Sequence, residues 1–474
     1  MKRNEENKHW FALYVLCLGS LMIVLDATIV NVALPSIRQD LGFSVANLAW
    51  ILNAYLLTFG GFLLLGGRLG DIFGQRRLFL IGITVFTLAS LACGLANSQA
   101  ILIIARAVQG FGGAIVSAVS LSLTMNLFTK PDERAKAMGL FGFVSAGGGS
   151  IGVLLGGLLT TINWHWIFLV NIPVGIVVIL LSRTLLPASH THSAPKHLDV
   201  WGAVTVTGAL MLAVYAIVNG NQVGWTSLQT LGLLAIAVVL IVIFFKIELR
   251  VKSPLMPPDL LKLRNVAVAN MVAVLWAAAM FAWFFISALY LQLVLHYSPL
   301  QVGLGFLPSN IIMAAFSLGI SAKLVMRFGI RKPLVVGLGL AAMGLLLFAR
   351  APVEGNFLFD VLPSMTLLGI GAGIAFNPML LAAMSGVKPD ESGIASGIVN
   401  TAFMMGGALG LAILASIAAS ITSSLLALQQ NPIIALTNGY HEAFLVGAIF
   451  AALAASIGGV FLRITDMTKK IETL

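Results

Sequence analysis

The chain has 474 residues, of which 59% are hydrophobic and only 9% are charged. Soluble domains usually carry about 25% charged residues, so the composition excludes a water-soluble globular protein and indicates a polytopic membrane protein. The net charge of +10 does not indicate nucleic-acid binding, because its Lys and Arg residues fall almost entirely in alternate loops between apolar segments, as the positive-inside rule requires.

Fourteen apolar segments are long enough to cross a bilayer as helices, which takes about 20 residues each. Their even number puts both termini on one side, and the basic loops make that side cytoplasmic. We therefore predict an all-α, multi-pass protein of the cytoplasmic membrane. The segments begin near Trp10, Leu48, Leu78, Ala100, Ala137, Trp166, Asp199, Ser227, Asn265, Leu300, Pro333, Val361, Gly393 and Ala443.

Helix one contains Asp26, the only carboxylate that the sequence places deep within an apolar segment. Burying a charge in a membrane is costly, and such residues usually face a cavity and serve ion or proton pathways. Removal from water favours the neutral acid, so we expect proton binding at Asp26 to depend on which side of the membrane has access to it. The alternative is a structural pair with another helix.

The sequence GRLGDIFGQRR follows helix two and predicts a tight turn on the inner side, because glycine permits sharp backbone bends. The residues assigned to this turn are Gly67, Arg68, Asp71, Gly74, Arg76 and Arg77.

Helix four contains Arg106, the only basic residue predicted in a membrane core, with Gln109 one turn later on the same face. A cation near Asp26 would oppose its protonation, whereas a purely structural role would be to satisfy backbone carbonyls. Helix five carries a glycine series that indicates either close packing against the opposite half or bending during transport. Its members are Gly148, Gly152, Gly156 and Gly157.

Aromatic and methionine side chains in helices nine and thirteen are candidates to line an adaptable apolar substrate cavity, although we expect most of them to face lipid or the core. A buried amide needs a hydrogen-bond partner, which adds asparagine and glutamine side chains to the set. The candidate cavity residues are Asn31, Gln109, Trp276, Trp283, Phe284, Asn400 and Met404.

An internal repeat connects the two ends of the chain. PDERAKAMGLFGF begins at Pro131 and PDESGIASGIVNT at Pro389, a displacement of 258 residues, and GQRR at Gly74 matches GIRK at Gly329. Apolar packing gives no reason for Pro-Asp-Glu to recur in a loop, so the halves share one plan, as in transporters built from repeats. We predict six helices in residues 1–187, two inserted helices in 188–262 and six helices in 263–474.

The chain resembles the fourteen-helix drug:proton antiporters of the major facilitator superfamily. The resemblance rests on LDATIVNVALP from Leu25, the loop from Gly67, RAVQGFGGA from Arg106, WHWIFLVNIPVG from Trp164 and YLQLVLHYSPLQVGLGFLP from Tyr290. It implies the major facilitator fold, a contact between Asp26 and Arg106, and a place for Arg106 in proton transfer.

The resemblance also implies that the loop from Gly67 is a gate. In the family, its aspartate, here Asp71, interacts with the N-terminal end of a helix in the opposite half, which would begin near Gly393. The second copy of this loop departs from the pattern, with Met326 where an acid is expected.

Three functions compete: proton-coupled export, uptake or facilitated diffusion on the same fold, and an intramembrane enzyme or receptor. The enzyme is disfavoured because no HExxH pair or phosphate-binding loop is present, and the resemblance favours export. We expect no cofactor or metal, with the proton as coupling ion. A single deep acid favours lipophilic neutral, monocationic or weakly acidic substrates. The expected partners are these substrates, protons and membrane lipids, with a monomer as the default and an accessory partner left open.

Overall fold

The computed structural model describes residues 2–128, 131–187, 199–251, 254–388 and 391–463, apart from some side chains within helices, chiefly before residue 9, at residue 71 and between 131 and 147. Over these ranges the chain is helical with short connections and contains no strand.

Fourteen long helical segments follow one another along the described chain. They are α1 (Lys2–Leu41), α2 (Trp50–Phe73), α3 (Gln75–Gly94), α4 (Gln99–Leu127), α5 (Pro131–Ile162), α6 (Asn171–Leu185), α7 (Val200–Val223), α8 (Leu228–Glu248), α9 (Arg264–Leu289), α10 (Pro299–Ala315 with Ser321–Phe328), α11 (Arg331–Phe348), α12 (Leu362–Met384), α13 (Ser392–Ala427) and α14 (Pro432–Phe461). Short helical turns, Val45–Leu48, Trp166–Leu169 and Pro258–Lys262, precede α2, α6 and α9.

Three π-helical turns interrupt or extend these helices in the second half of the chain. They are Tyr290–Val294 after α9, Phe316–Ile320 within α10 and Phe357–Val361 before α12. Within α10 the wider turn frees the Ser317 carbonyl, which accepts a hydrogen bond from Asn377 Nδ2 at 2.6 Å. Such π-bulges are often found where a helix has to adjust.

Hydropathy of the helices agrees with a membrane protein. Within the described residues, thirteen helices are long and apolar enough to cross a bilayer. The remaining segment, α5, is 32 residues long, and its apolar described part is Gly148–Ile162. The predicted all-α, multi-pass fold is confirmed.

Two predicted boundaries are wrong. Helix α14 begins at Pro432 rather than near Ala443, because Asn431 caps the helix by accepting a hydrogen bond from Ile433 N at 2.9 Å and proline suits the first helical position. The predicted loop from Gly67 to Arg77 is also much shorter than expected, since α2 continues to Phe73 and α3 starts at Gln75. Only Gly74, with a φ of 91°, lies between them.

The described chain forms two compact units. Unit 1 contains Met1–Ala213, Gly232–Leu255 and Ser298–Gly303, and unit 2 contains Val214–Leu231, Met256–Tyr297 and Leu304–Leu474. The inserted helix α7 contributes residues to both. In unit 1 its Thr207 fills the space above Gly61 of α2, and in unit 2 its Asn221 donates to the Ser416 carbonyl of α13 at 2.7 Å. The predicted division at residues 187 and 263 remains a prediction.

Glycines of α5 let it approach α1 very closely within unit 1. A Cβ atom at Gly152 would lie 3.2 Å from the Leu25 Cα, and one at Gly156 would lie 2.7 Å from the Ile29 carbonyl oxygen, while Gly148 faces Leu21 and Val24. The expectation that these three glycines pack against the opposite half is therefore wrong. Gly157 alone approaches a later part of the chain, at Pro299 and Leu300.

Similar close contacts recur in unit 2 between the corresponding helices of the second half of the chain. A Cβ atom at Gly112 would lie 3.0 Å from the Gly82 carbonyl oxygen, and one at Gly371 would lie 2.5 Å from that of Gly337. Gly410 of α13 likewise meets Ala278 of α9, as Gly152 of α5 meets Leu25 of α1. The repeated sequences thus form repeated helix pairs.

We expect Gly410→Ala to lower the free energy of unfolding by about 1–3 kcal/mol, the usual cost of overpacking, because the new Cβ would lie 2.1 Å from the Ala278 Cα. Denaturant titration of the purified protein in detergent measures this. The matched control is Gly339→Ala in α11, where nothing lies within 4 Å of the new atom. Equal stability of the two variants would contradict the close packing of α9 and α13.

Candidate functional site

The Asp26 carboxylate lies in the interior of unit 1, completely shielded from solvent. Its Oδ2 accepts a hydrogen bond from Arg106 Nη1 of α4 at 2.5 Å, and this contact is an ion pair. Its Oδ1 accepts from Gln109 Nε2 of the same helix at 2.7 Å and from Asn171 Nδ2 of α6 at 3.0 Å. Three donors from two helices therefore hold one carboxylate of α1.

The Arg106 guanidinium is buried, and its other contacts offset part of the cost of removing it from water. Nε donates to the Ile51 carbonyl of α2 at 3.0 Å, and Nη1 also donates to Gln109 Oε1 at 2.8 Å. The Tyr55 ring lies 4.4 Å from the guanidinium carbon, close enough for a cation–π interaction. Arg106 is thus bound by polar groups of α1, α2 and its own helix.

Ser90 of α3 closes the network. Its Oγ accepts from Gln109 Nε2 at 3.2 Å and from Asn171 Nδ2 at 3.0 Å, and its hydroxyl donates to the Phe168 carbonyl at 2.9 Å. All these side chains are buried. We call Asp26, Arg106, Gln109, Asn171 and Ser90 the charged network; it connects α1, α3, α4 and α6.

Sequence reasoning found part of this network. The contact between Asp26 and Arg106, implied by the family resemblance, is present. Gln109, one of the predicted cavity residues, donates to Asp26 and is fully buried. Asn171 and Ser90 were missed. Asn171 could have been found, because an amide in an apolar segment stands out in the sequence. Ser90 could not, because a serine in a membrane helix usually donates its hydroxyl hydrogen bond to a backbone carbonyl of its own helix.

The remaining cavity candidates are divided between the units. Asn31, in unit 1, is buried and reaches the Ala27 and Thr28 carbonyls of its own helix at 3.4 Å. In unit 2, Trp276 and Trp283 are buried and their indole N–H groups have no acceptor among the described residues.

The other unit 2 candidates are partly exposed. They are Phe284, which stacks on Phe306, Asn400, which donates to the Ser396 carbonyl of its own helix at 2.9 Å, and Met404. That the seven candidates together line a substrate cavity remains a prediction.

The predicted gate residues lie mostly in helices. Gly67 and Arg68 belong to α2, while Arg76 and Arg77 occupy the first turn of α3. The Arg76 guanidinium donates to the Arg183 carbonyl at the end of α6. The Asp71 side chain lies outside what the structure describes, and the gating role remains a prediction.

No three His, Cys, Asp or Glu side chains in the described part of the chain come close enough together to hold a metal ion. The chemistry offered by the charged network is therefore that of one carboxylate, one guanidinium and their hydrogen-bond partners.

Comparisons with known proteins show the family to which the chain belongs. A family model described as Major Facilitator Superfamily matches residues 16–411. The puromycin resistance protein pur8 of Streptomyces alboniger is 38% identical over 95% of this chain and 90% of its own length. The cephamycin export protein CmcT of Amycolatopsis lactamdurans is 36% identical over 96% of this chain and 93% of its own.

A solved structure agrees with the fold. The crystal structure of an auto-inhibited peptide transporter of the POT family matches with a TM-score of 0.69, covering 97% of this chain and 98% of that one. At 16% sequence identity, this likeness concerns the fold alone.

We expect Arg106→Met to lower the free energy of unfolding by about 3–5 kcal/mol, because it leaves the buried Asp26 carboxylate without its counter-charge. Combining it with Asp26→Asn should restore much of the loss, since the uncompensated charge is then gone. Denaturant titrations of the two single variants and the double variant measure the coupling.

The exposed pair Asp259 and Lys262 provides the control, with side chains 90% and 77% exposed. Asp259→Asn with Lys262→Met should leave the stability close to that of the wild type. Strictly additive effects of Asp26→Asn and Arg106→Met would contradict the proposed dependence of each charge on the other.

Proposed function

Because the chain belongs to the Major Facilitator Superfamily, and is therefore a multi-pass membrane transporter and not an enzyme, we propose that it exports lipophilic antibiotics and related small molecules in exchange for protons. The direction and the substrate class are supported by two relatives that match nearly the whole chain, one named for puromycin resistance and the other for cephamycin export.

The observation that carries the proton coupling is the fully buried ion pair of Asp26 and Arg106. Protonation of Asp26 would cancel the negative charge that holds Arg106, and an unpaired guanidinium in a dry interior is strongly unfavourable. The protonated protein would therefore favour a different arrangement of α1 and α4. A ligand shifts a conformational equilibrium only through such a difference between states, and here that ligand is the proton.

Proton exchange and helix movement are linked in this proposal. In the arrangement described, Asp26 is screened from solvent by Arg106, Gln109 and Asn171, so water reaches the carboxylate only when those helices move. We propose that Asp26 binds a proton from the outside and releases it inside, while substrate moves outward by alternating access. Each inward proton supplies about 2.3 kcal/mol per 100 mV of membrane potential, in addition to the pH gradient.

The buried carboxylates support the proposed substrate charge. Two further buried acids were not singled out from the sequence, but Asp199 precedes α7 and caps it through Gly202 N at 2.7 Å, and Glu248 is the last residue of α8. Asp26 is thus the one buried carboxylate in the middle of a described membrane helix. A carrier of dications would need more, so we propose neutral, monocationic or weakly acidic substrates.

Asp26→Asn should reduce puromycin export driven by a pH gradient to the leak rate of protein-free vesicles, because the amide cannot take up and release a proton. Radiolabelled puromycin flux in proteoliposomes with an imposed pH gradient measures this. Substrate counterflow without a gradient should persist, which separates loss of coupling from loss of folding. Asp259→Asn, the same change at an exposed carboxylate, is the control and should transport normally.

Two results would overturn parts of the proposal separately. Undiminished gradient-driven export by Asp26→Asn would remove Asp26 from proton coupling. A wild-type protein that moves neither puromycin nor a cephamycin in either direction would contradict the substrate class.

A further inference from the structure

A cavity of about 470 Å³ lies in unit 2, where α10 leads into α11 and where α14 ends. Three cations line it: Arg331 and Lys332, the first two residues of α11, and Arg463, which follows α14. The rest of the wall includes the apolar residues Val335, Val336 and Leu462. None of its lining residues is an acid.

The three cations have no counter-charge among the described residues. The ion pairs found there join Asp26 with Arg106 and Asp259 with Lys262. The side chains of Arg331, Lys332 and Arg463 have no hydrogen-bonded or ionic partner among the described residues. Like charges around one cavity repel each other, and a bound anion would relieve that repulsion. The start of α11 also favours an anion. Its N-cap residue is Ile330, whose side chain cannot accept a hydrogen bond from the first amides of the helix.

Hydrogen bonds between helix ends hold the part of the cavity wall that contains Arg463. The Asn265 side chain accepts a hydrogen bond from Arg463 N at 2.9 Å and donates to Ser385 Oγ at 3.2 Å. Beside it, Arg264 Nε donates to the Phe461 carbonyl at 2.8 Å. These bonds tie the end of α14 to the start of α9, beside the cavity that Arg331, Lys332 and Arg463 line.

The equivalent turn in unit 1 differs from that in unit 2, because the first of its two arginines, Arg76, has an acceptor within the protein. There GQRR stands where GIRK stands in unit 2. Gln75 bonds with Ser122 and Asn126, and Arg76 donates to the Arg183 carbonyl. Arg331, in the position of Arg76, has no such acceptor within the described chain.

The location and the apolar wall identify the class of anion. The cavity lies at the end of unit 2 that carries the basic loops, which the positive-inside rule places in the cytoplasmic headgroup region. Acidic phospholipids are concentrated there, and basic pockets between membrane helices bind their headgroups. Phe328 and Val336, at the edge of the cavity, are 45% and 55% exposed, as expected for side chains that meet acyl chains.

We propose that this cavity binds an acidic phospholipid, with the headgroup phosphate held by Arg331, Lys332 and Arg463 and the acyl chains lying along Val335, Val336 and Leu462. A soluble phosphate compound offers the same headgroup chemistry but would leave the apolar wall exposed to water. The proposal does not depend on which substrate the transporter carries or on its coupling to protons.

Native mass spectrometry of the delipidated full-length protein, titrated with phosphatidylglycerol or phosphatidylcholine, tests the proposal. Phosphatidylglycerol should bind more tightly. Arg331→Gln combined with Arg463→Gln should weaken its binding roughly 30-fold, about fivefold for each cation, and leave phosphatidylcholine binding unchanged. The control is Lys323→Gln, which removes one charge from an exposed position of α10 outside the cavity.

Gel filtration and the helical circular dichroism signal of each variant establish that it is folded. Equal binding of the two lipids by the wild type, or a loss in the double variant no larger than in Lys323→Gln, would overturn the site. If inorganic phosphate displaced phosphatidylglycerol at an equal concentration, the ligand would be a soluble anion and the assignment of a phospholipid would be wrong.

Discussion

The Asp26–Arg106 ion pair imposes the strictest condition on unit 1, because two charges removed from water are tolerated only when hydrogen bonds satisfy both of them. Gln109, Asn171 and the Ile51 carbonyl meet that condition, and Ser90 in turn holds the two amides. Donors and acceptors from five helices must therefore keep their relative positions. A change in the charge of Asp26 would remove the ion pair around which they are arranged, and in the proposed mechanism this is how a local proton transfer moves helices.

The repeat shows that the two units share a scaffold, whereas the charged network has no counterpart at the aligned positions of unit 2. Gly110 approaches the Tyr55 carbonyl and Gly369 approaches the Ser309 carbonyl, which aligns the two helix pairs. By that alignment Met365 stands in the position of Arg106 and Leu368 in that of Gln109, and Ala279 follows Ala278 as Asp26 follows Leu25. Unit 2 has similar glycine-mediated packing but apolar side chains at these aligned positions, and it contains the three described π-helical turns. The charge chemistry is thus concentrated in unit 1, while unit 2 supplies the deformed helices and the unpaired cations at its inner end.

Much of the fold and the key charges could be predicted from the sequence because each carries a strong local signal. Long apolar segments identify the helices, and a lone charge in such a segment, as with Asp26 or Arg106, stands out against it. Their contact spans 80 residues of sequence and needed a family resemblance, since spacing says nothing about neighbours in space. Ser90 could not be found, because a buried serine and a self-bonded serine look alike in sequence. Hydropathy misplaced the start of α14, because the Asn431 cap and not the apolar run sets where that helix begins. It also misplaced the turn at Gly74, because the preceding glycines remain helical.

The most direct test of the central claim measures whether substrate binding moves a proton at Asp26. Puromycin is added to the purified protein in lightly buffered detergent solution, and a pH indicator follows proton release. Because substrate and proton bind alternately in the proposed exchange, puromycin should displace protons from wild-type molecules that are protonated at Asp26 and none from Asp26→Asn, with puromycin binding to both verified by equilibrium dialysis. Equal proton release from the two proteins would contradict the assignment of Asp26 as the coupling residue.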